Sequence, residues 1–391
     1  MKTPPRSYSS NFTIVMPCLN EERTIAACID QINELGDLLE TRIPIIVADN
    51  GSSDKSVDIA TAKGARVIAV SKRGYGAALD AGIRSAETDW VVIGDSDLSY
   101  DFGDANRLVE AGISNSSDLV MGNRFMGGIE PGAMPALHKY IGNPFLSYVG
   151  RTFFNIPIGD FHCGLRAMKK DSYLKASPVS VGMEFATEMV IKFANANLKI
   201  TEFPTSLKKD GRDRKPHLRS FPDGWRHLKL MMLYAPQFTL LFPGFFLTII
   251  GLSILTIYGI TGRIHILSFK GDISAAEMMS LLTIFGVQLF VAGSVSIANA
   301  KVRGIGKFRW VAPRYSRSRA RFVLGFPLLL IISSSASLFR FGLHWLSLNQ
   351  GHLDPISSTR VTIVGVTTFL IGSQLLIGAI QVRQIVSKFW D

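Results

Sequence analysis

The chain reads as an α/β domain built on a mostly parallel sheet, followed by an all-α membrane region, and three observations predict this. Short apolar runs alternate with helical stretches over the first 122 residues. One of these runs, Trp90 to Ile93, delivers two aspartates two residues apart in Asp95-Ser96-Asp97. Beyond about Gln237, four long apolar stretches dominate. The bounds agree with such a division. The chain has 391 residues, a net charge of +11 and a mean hydropathy of +0.23, high for a soluble enzyme and concentrated in the last part. Cys18, Cys28 and Cys163 are odd in number and lack metal-ligand spacing, so neither a disulfide framework nor a zinc site is expected. They fit a reducing compartment. Met1 to Asn11 contains no apolar signal core, so the first domain is expected to stay in the cytosol.

Taken in order, Phe12 to Met16 is the first strand, followed by Pro17-Cys18-Leu19-Asn20-Glu21-Glu22 and a helix from about Glu22 to Leu39. No G-x-G-x-x-G stands after the strand, which argues against a dinucleotide site. The second strand, Ile43 to Ala48, ends in Asp49-Asn50-Gly51-Ser52-Ser53-Asp54. Asp54 is a candidate cap for the helix that runs to about Lys63, whereas Asp49 sits where a base or ribose could donate to it. The third strand, Ala65 to Val70, leads through Ser71-Lys72-Arg73-Gly74-Tyr75-Gly76 into a helix ending near Ala86. Glycines beside two cations suit a close approach to an anion, a weak signal when taken alone. A fourth strand, Trp90 to Ile93, a helix near 101–115 and a strand at 118–122 complete the alternation. A further strand is expected near Lys199 to Ser206.

A lone D-x-D is more often a polar turn than a site. Here it falls at a strand's carboxyl end, where open α/β sheets place ligands, and two hard carboxylates can hold Mg²⁺ or Mn²⁺ while leaving positions for phosphate oxygens.

Together, Pro17 to Glu22, Asp49 to Asp54, Arg73 to Ala78, Asp95 to Asp97, Gly122-Asn123-Arg124-Phe125 and Asp160 to Arg166 resemble, in order and spacing, family 2 glycosyltransferases. The similarity spans about Asn11 to Pro236 and is greatest to the dolichyl-phosphate mannose synthase and polyprenyl-phosphate glucosyltransferase branch. It implies a GT-A fold, a nucleotide-sugar donor (UDP-glucose preferred over GDP-mannose), a divalent metal and inversion at the anomeric carbon. It further implies that Pro17, Leu19, Glu21 and Asp49 meet the nucleoside, and that Arg73, Gly76, Asp95, Ser96 and Arg166 meet the nucleotide sugar. By the same resemblance Asp95 and Asp97 hold the metal, Arg124 stands at the phosphates and Asp160 acts near the reacting centre. Two departures stand out. Ser99 occupies a position where the family often has glutamine, and His138, Lys139 and Gly142 occupy the region of the lipid-phosphate contacts, making His138 and Lys139 the acceptor candidates.

The chemistry asks for the same residue types. A lipid monophosphate has its second pKa near about 6, so it is already an anionic nucleophile at neutral pH and needs no strong base. It needs charge neutralisation and positioning, that is, a metal with arginines and lysines. Asp160, Glu184 or Glu188 could orient hydroxyls, although a solvated helix face explains the two glutamates equally well. Lys208 to Arg219 is too charged for a core and reads as a loop closing on the donor diphosphate, with Arg212, Lys215 and His217 inward. Nucleic acid is not expected as a partner, because this basic run leads straight into a membrane anchor.

Three domains are expected: a cytosolic catalytic domain (1–220), an interfacial amphipathic helix (221–237) and a membrane domain (238–391). In the helix, Trp225, Leu228, Met231 and Met232 recur on one face and Arg226, His227 and Lys229 lie elsewhere. The spans are 238–260, 278–300, 322–346 and 361–382. Lys301 to Arg321 carries eight basic residues and no acidic one, which places it, and both termini, on the cytosolic side of what is expected to be a prokaryotic plasma membrane. Competing readings are a processive polysaccharide synthase, hinted at by Arg309-Trp310, and a nucleotide-sugar sensor without activity. Homo-oligomerisation is left open by the sequence.

Overall fold

The computed structural model describes residues 11–212, 220–266, 269–271, 273–302, 317–348, 351 and 353–387. Two compact units divide the chain, Met1–Tyr234 and Ala235–Asp391.

The first unit is built on a seven-stranded sheet: β1 (Phe12–Cys18), β2 (Ile45–Asp49), β3 (Arg66–Ala69), β4 (Trp90–Ile93), β5 (Leu119–Asn123), β6 (Arg166–Lys169) and β7 (Ile200–Pro204). Their order is β3-β2-β1-β4-β6-β5-β7. β3, β2, β1 and β4 pair in parallel, as does β5 with β7, while β6 runs antiparallel between β4 and β5. The expected GT-A type of sheet is therefore present. The expected pattern had no strand between Gly122 and Lys199, and β6 fills that gap as the reversed member.

Alternation along the strands makes two cores. In β1, Ile14 and Met16 pack on one face with Ile25, Ile29 and Leu108; Val15 faces the other with Leu79, Ile83 and Phe185. Burying such side chains contributes about 1.5–3 kcal/mol each, enough to fix the register of every central strand, because a one-residue slip would exchange the two faces. Helices Ile25–Leu38 and Ala105–Ser114 cover the first core, and Tyr75–Ser85 and Phe185–Asn195 the second. The first helix begins at Ile25, after a turn at 22–24, three residues later than its sequence pattern predicts.

Helix Ser220–Tyr234 belongs to the first unit and packs on helices Asn143–Phe154 and Phe185–Asn195. Its inward face is Asp223, His227 and Met231, while Phe221, Trp225 and Leu233 are exposed. This differs from the face read from the sequence, which set Met231 beside Trp225 and turned His227 away. The buried face carries an aspartate and a histidine while apolar side chains stand outward, an arrangement that hydrophobic periodicity reads the wrong way round.

In the second unit four helices are long and apolar enough to cross a membrane: Gln237–Thr261, Ile273–Val302, Val323–Ser347 and Pro355–Ile385. Each overlaps one of the four apolar stretches read from the sequence. Small residues let them approach closely: Gly244 and Gly286 lie at a helix crossing where a Cβ on either would meet backbone of the other helix. Most of the basic segment 301–321, including Arg309 and Trp310, lies outside the described residues.

Candidate active site

Because β2, β1 and β4 are parallel neighbours, their carboxyl ends bring Asp49, Pro17 and the turn after Ile93 to one edge. Asp49 accepts from the backbone N–H of Gly51 and Ser52, both at 3.0 Å. The Pro17 carbonyl accepts from Ser96 Oγ at 2.7 Å, which ties the first turn to the fourth. Leu19 lies in the turn that follows β1.

Asp97 is buried, and its Oδ1 accepts from both the N–H and the hydroxyl of Ser99, at 3.0 and 2.5 Å. Leu98 makes this possible by adopting φ +65°, a left-handed conformation that costs a branched residue about 1–3 kcal/mol. Ser99, a departure from the family pattern, thus holds the second aspartate in place. Asp95 Oδ1 accepts from Tyr75 OH at 3.0 Å, and Oδ2 faces Gly164, where a Cβ would stand 2.6 Å away. Burial, and then the neighbouring Asp97 carboxylate, push Asp95 up to about 6. The pair is short of positive charge. Its all-oxygen chemistry suits Mg²⁺ or Mn²⁺ and supplies two ligands, the remaining positions being open to phosphate oxygens. Among the described residues no group of three or more His, Cys, Asp or Glu is placed to hold a metal.

Part of the missing charge comes from Arg212. Its guanidinium bridges Glu21, at 2.7 Å, and Asp97, at 2.8 Å, and the Gly211 N–H donates to the Asp97 carbonyl at 2.9 Å. Arg212 is thus directed at carboxylates. Lys215 and His217 lie outside the described residues. Arg73 donates to the carbonyls of Asn50 and Gly51. Gly74, at φ +138°, lies so near the Val181 carbonyl that no Cβ fits, and Gly76 follows in the first helical turn.

A second acidic centre lies at the end of β5. Asp160 is wholly buried and takes a two-point ion pair from Arg124, Nε to Oδ2 at 2.7 Å and Nη2 to Oδ1 at 2.8 Å, together with the N–H of Arg124 and of His162. Arg166, also buried, donates to the carbonyls of Cys163, Ala186 and Phe161, so it braces the Asp160 loop from inside. Its guanidinium is directed at backbone and away from the nucleotide role that resemblance gave it. Glu202, which sequence reasoning missed, accepts from the N–H of Gly159 and Asp160 and from Asn123, and so locks the loop to β5 and β7. A polar residue in a strand pattern was the only signal.

The two glutamates part company. Glu188 is buried and accepts from the N–H of Val179 and Ser180 and from Tyr234 OH, a brace between the loop and helix Ser220–Tyr234. Glu184 stands just before helix Phe185–Asn195 with Oε2 buried and without a partner among the described residues. A solvated face describes neither. His138 and Lys139 are half-buried in a π-helical turn, 138–142, and burial together with the Arg124 charge lowers the His138 pKa. From that turn outward, Leu137, Tyr140, Ile141, Phe145 and Tyr148 form an exposed apolar stripe at helical spacing. The three cysteines are free and buried, and burial raises their thiols to about 11 or 12, so none is poised as a nucleophile.

Residues 13–175 match the family described as Glycosyl transferase family 2, a stretch that carries β1 to β6 and both acidic centres. The low-salt glycan biosynthesis hexosyltransferase Agl6 of Haloferax volcanii is 32% identical over 94% of this chain and 87% of its own length. A dolichyl-phosphate hexose transferase of the same organism is 26% identical over 52% of this chain and 86% of its own. Among solved structures, a glucosyl-3-phosphoglycerate synthase of Mycobacterium tuberculosis with Mn²⁺, UDP and phosphoglyceric acid has 22% identity and a TM-score of 0.45, covering 57% of this chain and 76% of that one. With a relative matched along nearly its full length and the family's pattern seated on the sheet that carries Asp95 and Asp97, the chain belongs to glycosyltransferase family 2.

Proposed function

We propose that this glycosyltransferase is an integral-membrane, metal-dependent inverting enzyme that transfers a hexose from a nucleotide sugar to polyprenyl phosphate at the cytoplasmic leaflet. The observation that carries the reading is the charge-deficient Asp95–Asp97 pair at the sheet edge, in a chain that also contains four long apolar helices. The lipid acceptor is supported by the exposed stripe from Leu137 to Tyr148 beside His138 and Lys139, and by the acceptor in the name of the dolichyl-phosphate relative. UDP-glucose is preferred as donor over GDP-mannose on resemblance.

In this reading Asp49 accepts from the nucleoside and Asp95 and Asp97 hold Mg²⁺ or Mn²⁺, which when bound neutralises the departing diphosphate. Arg124 and Asp160 form a neutral, rigid pair that holds the loop beside the reacting groups in shape. A phosphate oxygen of the acceptor attacks the anomeric carbon opposite the leaving diphosphate; one C–O bond forms as the other breaks, and inversion follows. Arg212 closes the charged segment over the donor and limits hydrolysis. The helix Ser220–Tyr234, with Phe221, Trp225 and Leu233 outward, lies in the headgroup region as the link between the catalytic domain and the spans. The basic segment 301–321 keeps both termini cytosolic.

The test is transfer of radiolabelled sugar from UDP-glucose, GDP-mannose or UDP-N-acetylglucosamine to undecaprenyl phosphate by the full-length protein in detergent, with Mn²⁺ or EDTA. One organic-soluble, metal-dependent product is expected. Water-soluble polymer in its place would support a polysaccharide synthase, and no product with any donor would overturn transfer to lipid.

A further inference from the structure

Three side chains from three elements meet beside the Asp160 loop without serving any step above. His162 follows Asp160 by two residues, Thr187 is on helix Phe185–Asn195, and His227 is on helix Ser220–Tyr234. The Thr187 hydroxyl lies 2.7 Å from His227 Nδ1 and 3.3 Å from His162 Nε2, and the two imidazoles stack edge-on with centroids 4.7 Å apart. A hydroxyl has one proton, so it donates to one ring and accepts from the other. The two neutral tautomers are thereby coupled, and either way round the His162 Nδ1 is left over.

That atom is buried and has no hydrogen-bond partner among the described residues. An orphaned buried ring nitrogen is destabilising, and such an atom persists where a ligand completes the bond. His162 stands on the Asp160 loop, its N–H donating to Asp160 Oδ1 at 3.2 Å, and the charges that act on its ring, after burial and His227, are Arg124, Arg166 and His138. Burial holds His162 well below the ordinary imidazole range and His227 down to about 4, with Asp223 and Glu184 opposing and Arg166 assisting. Both rings are therefore neutral at working pH, which excludes a cationic phosphate clamp and leaves a neutral hydrogen bond. Since the coupled tautomers can flip together, His162 Nδ1 can present a proton or a lone pair.

We propose that His162 is a substrate-binding residue whose Nδ1, set by the Thr187–His227 relay, hydrogen-bonds an oxygen of the bound substrate. Thr187 and His227 are positioning residues. The proposal rests on the transfer reaction proposed above, and the oxygen belongs either to a hexose hydroxyl or to the acceptor phosphate.

The experiment compares His162→Phe, His162→Asn, Thr187→Val and Thr187→Ser in the full-length detergent-solubilised enzyme. Readouts are kcat and KM for donor and lipid separately, Mn²⁺·UDP affinity by calorimetry, and melting temperature. His162→Phe, which keeps an aromatic ring, is expected to lose about 10- to 100-fold in kcat/KM, and Thr187→Val about 5-fold, with UDP affinity and melting temperature within 2-fold and 2 °C of the parent. Asn and Ser, which retain a polar atom, recover most of the loss. A defect that falls on the donor and is absent with a deoxy-sugar donor assigns the oxygen to the hexose; a defect in lipid KM assigns it to the phosphate. Unchanged kinetics in His162→Phe, or a loss matched by lost UDP binding or lowered melting temperature, overturns the proposal. If the parent enzyme itself transfers no sugar to lipid, the proposed function has failed and UDP affinity in the four variants is not altered by it.

Discussion

The two acidic centres of the catalytic unit solve the burial of a carboxylate in opposite ways. Asp160 is inaccessible yet fully compensated, with Arg124 on both oxygens and two backbone N–H groups added. Asp95 is surrounded by a phenol, a glycine and another carboxylate, and its pKa rises to about 6. One centre is complete; the other is arranged for a cation. In the proposed reading, that difference separates the part of the site that holds shape from the part that holds ligand.

Removing a ligand of the incomplete centre should have the largest effect. Asp97→Ala is expected to reduce sugar transfer by about 10²–10³-fold or more, with only a small change in the melting temperature of the metal-free protein, since relief from the Asp95 charge offsets the lost bonds to Arg212 and Ser99. Removing half of the complete centre should do the reverse. Arg124→Met leaves the Asp160 carboxylate buried without its partner and should lower stability by about 3–5 kcal/mol in denaturant titration.

The pH response sharpens the contrast. Asp95 in the folded protein holds its proton between its ordinary value of 3.8 and about 6, so without metal the native state binds more protons there than the unfolded chain, and stability falls as pH rises through that window. A divalent ion must displace this proton. Mn²⁺ affinity, measured by calorimetry, should level off above pH 6 and weaken by up to about 10-fold per unit below it. The smallest effect is structural: Glu188→Gln takes the charge from the bonds of Val179 and Ser180, which both end on Oε2, and should cost about 1–3 kcal/mol of thermal stability with donor KM little changed.

Much of this was legible in sequence because the signals are local. Runs such as Trp90 to Ile93 and the four long apolar stretches have one physical use each, and aspartates at strand ends fall at the ligand edge of any parallel sheet. Direction was not legible for β6. Arg166-Ala167-Met168-Lys169 is four residues with two apolar members, and nothing in its composition says that it runs against β4 and β5. Resemblance set Arg124 at the phosphates and Arg166 at the nucleotide sugar, and it carried no sign of their partners in the fold: one pairs with Asp160 and the other holds three carbonyls. Glu202 escaped, as did the bracing partners of Glu188 and His227, because a buried polar residue with distant partners has no periodic signature.

The most direct test of the account is UDP binding to the full-length protein and to Asp97→Ala, each titrated with Mn²⁺ and with EDTA. The charge-deficient pair predicts that Mn²⁺ tightens UDP binding to the parent by at least about 10-fold and leaves Asp97→Ala unaffected. Equal UDP affinity in Mn²⁺ and EDTA for the parent would contradict the assignment of Asp95 and Asp97 as the centre that holds the donor.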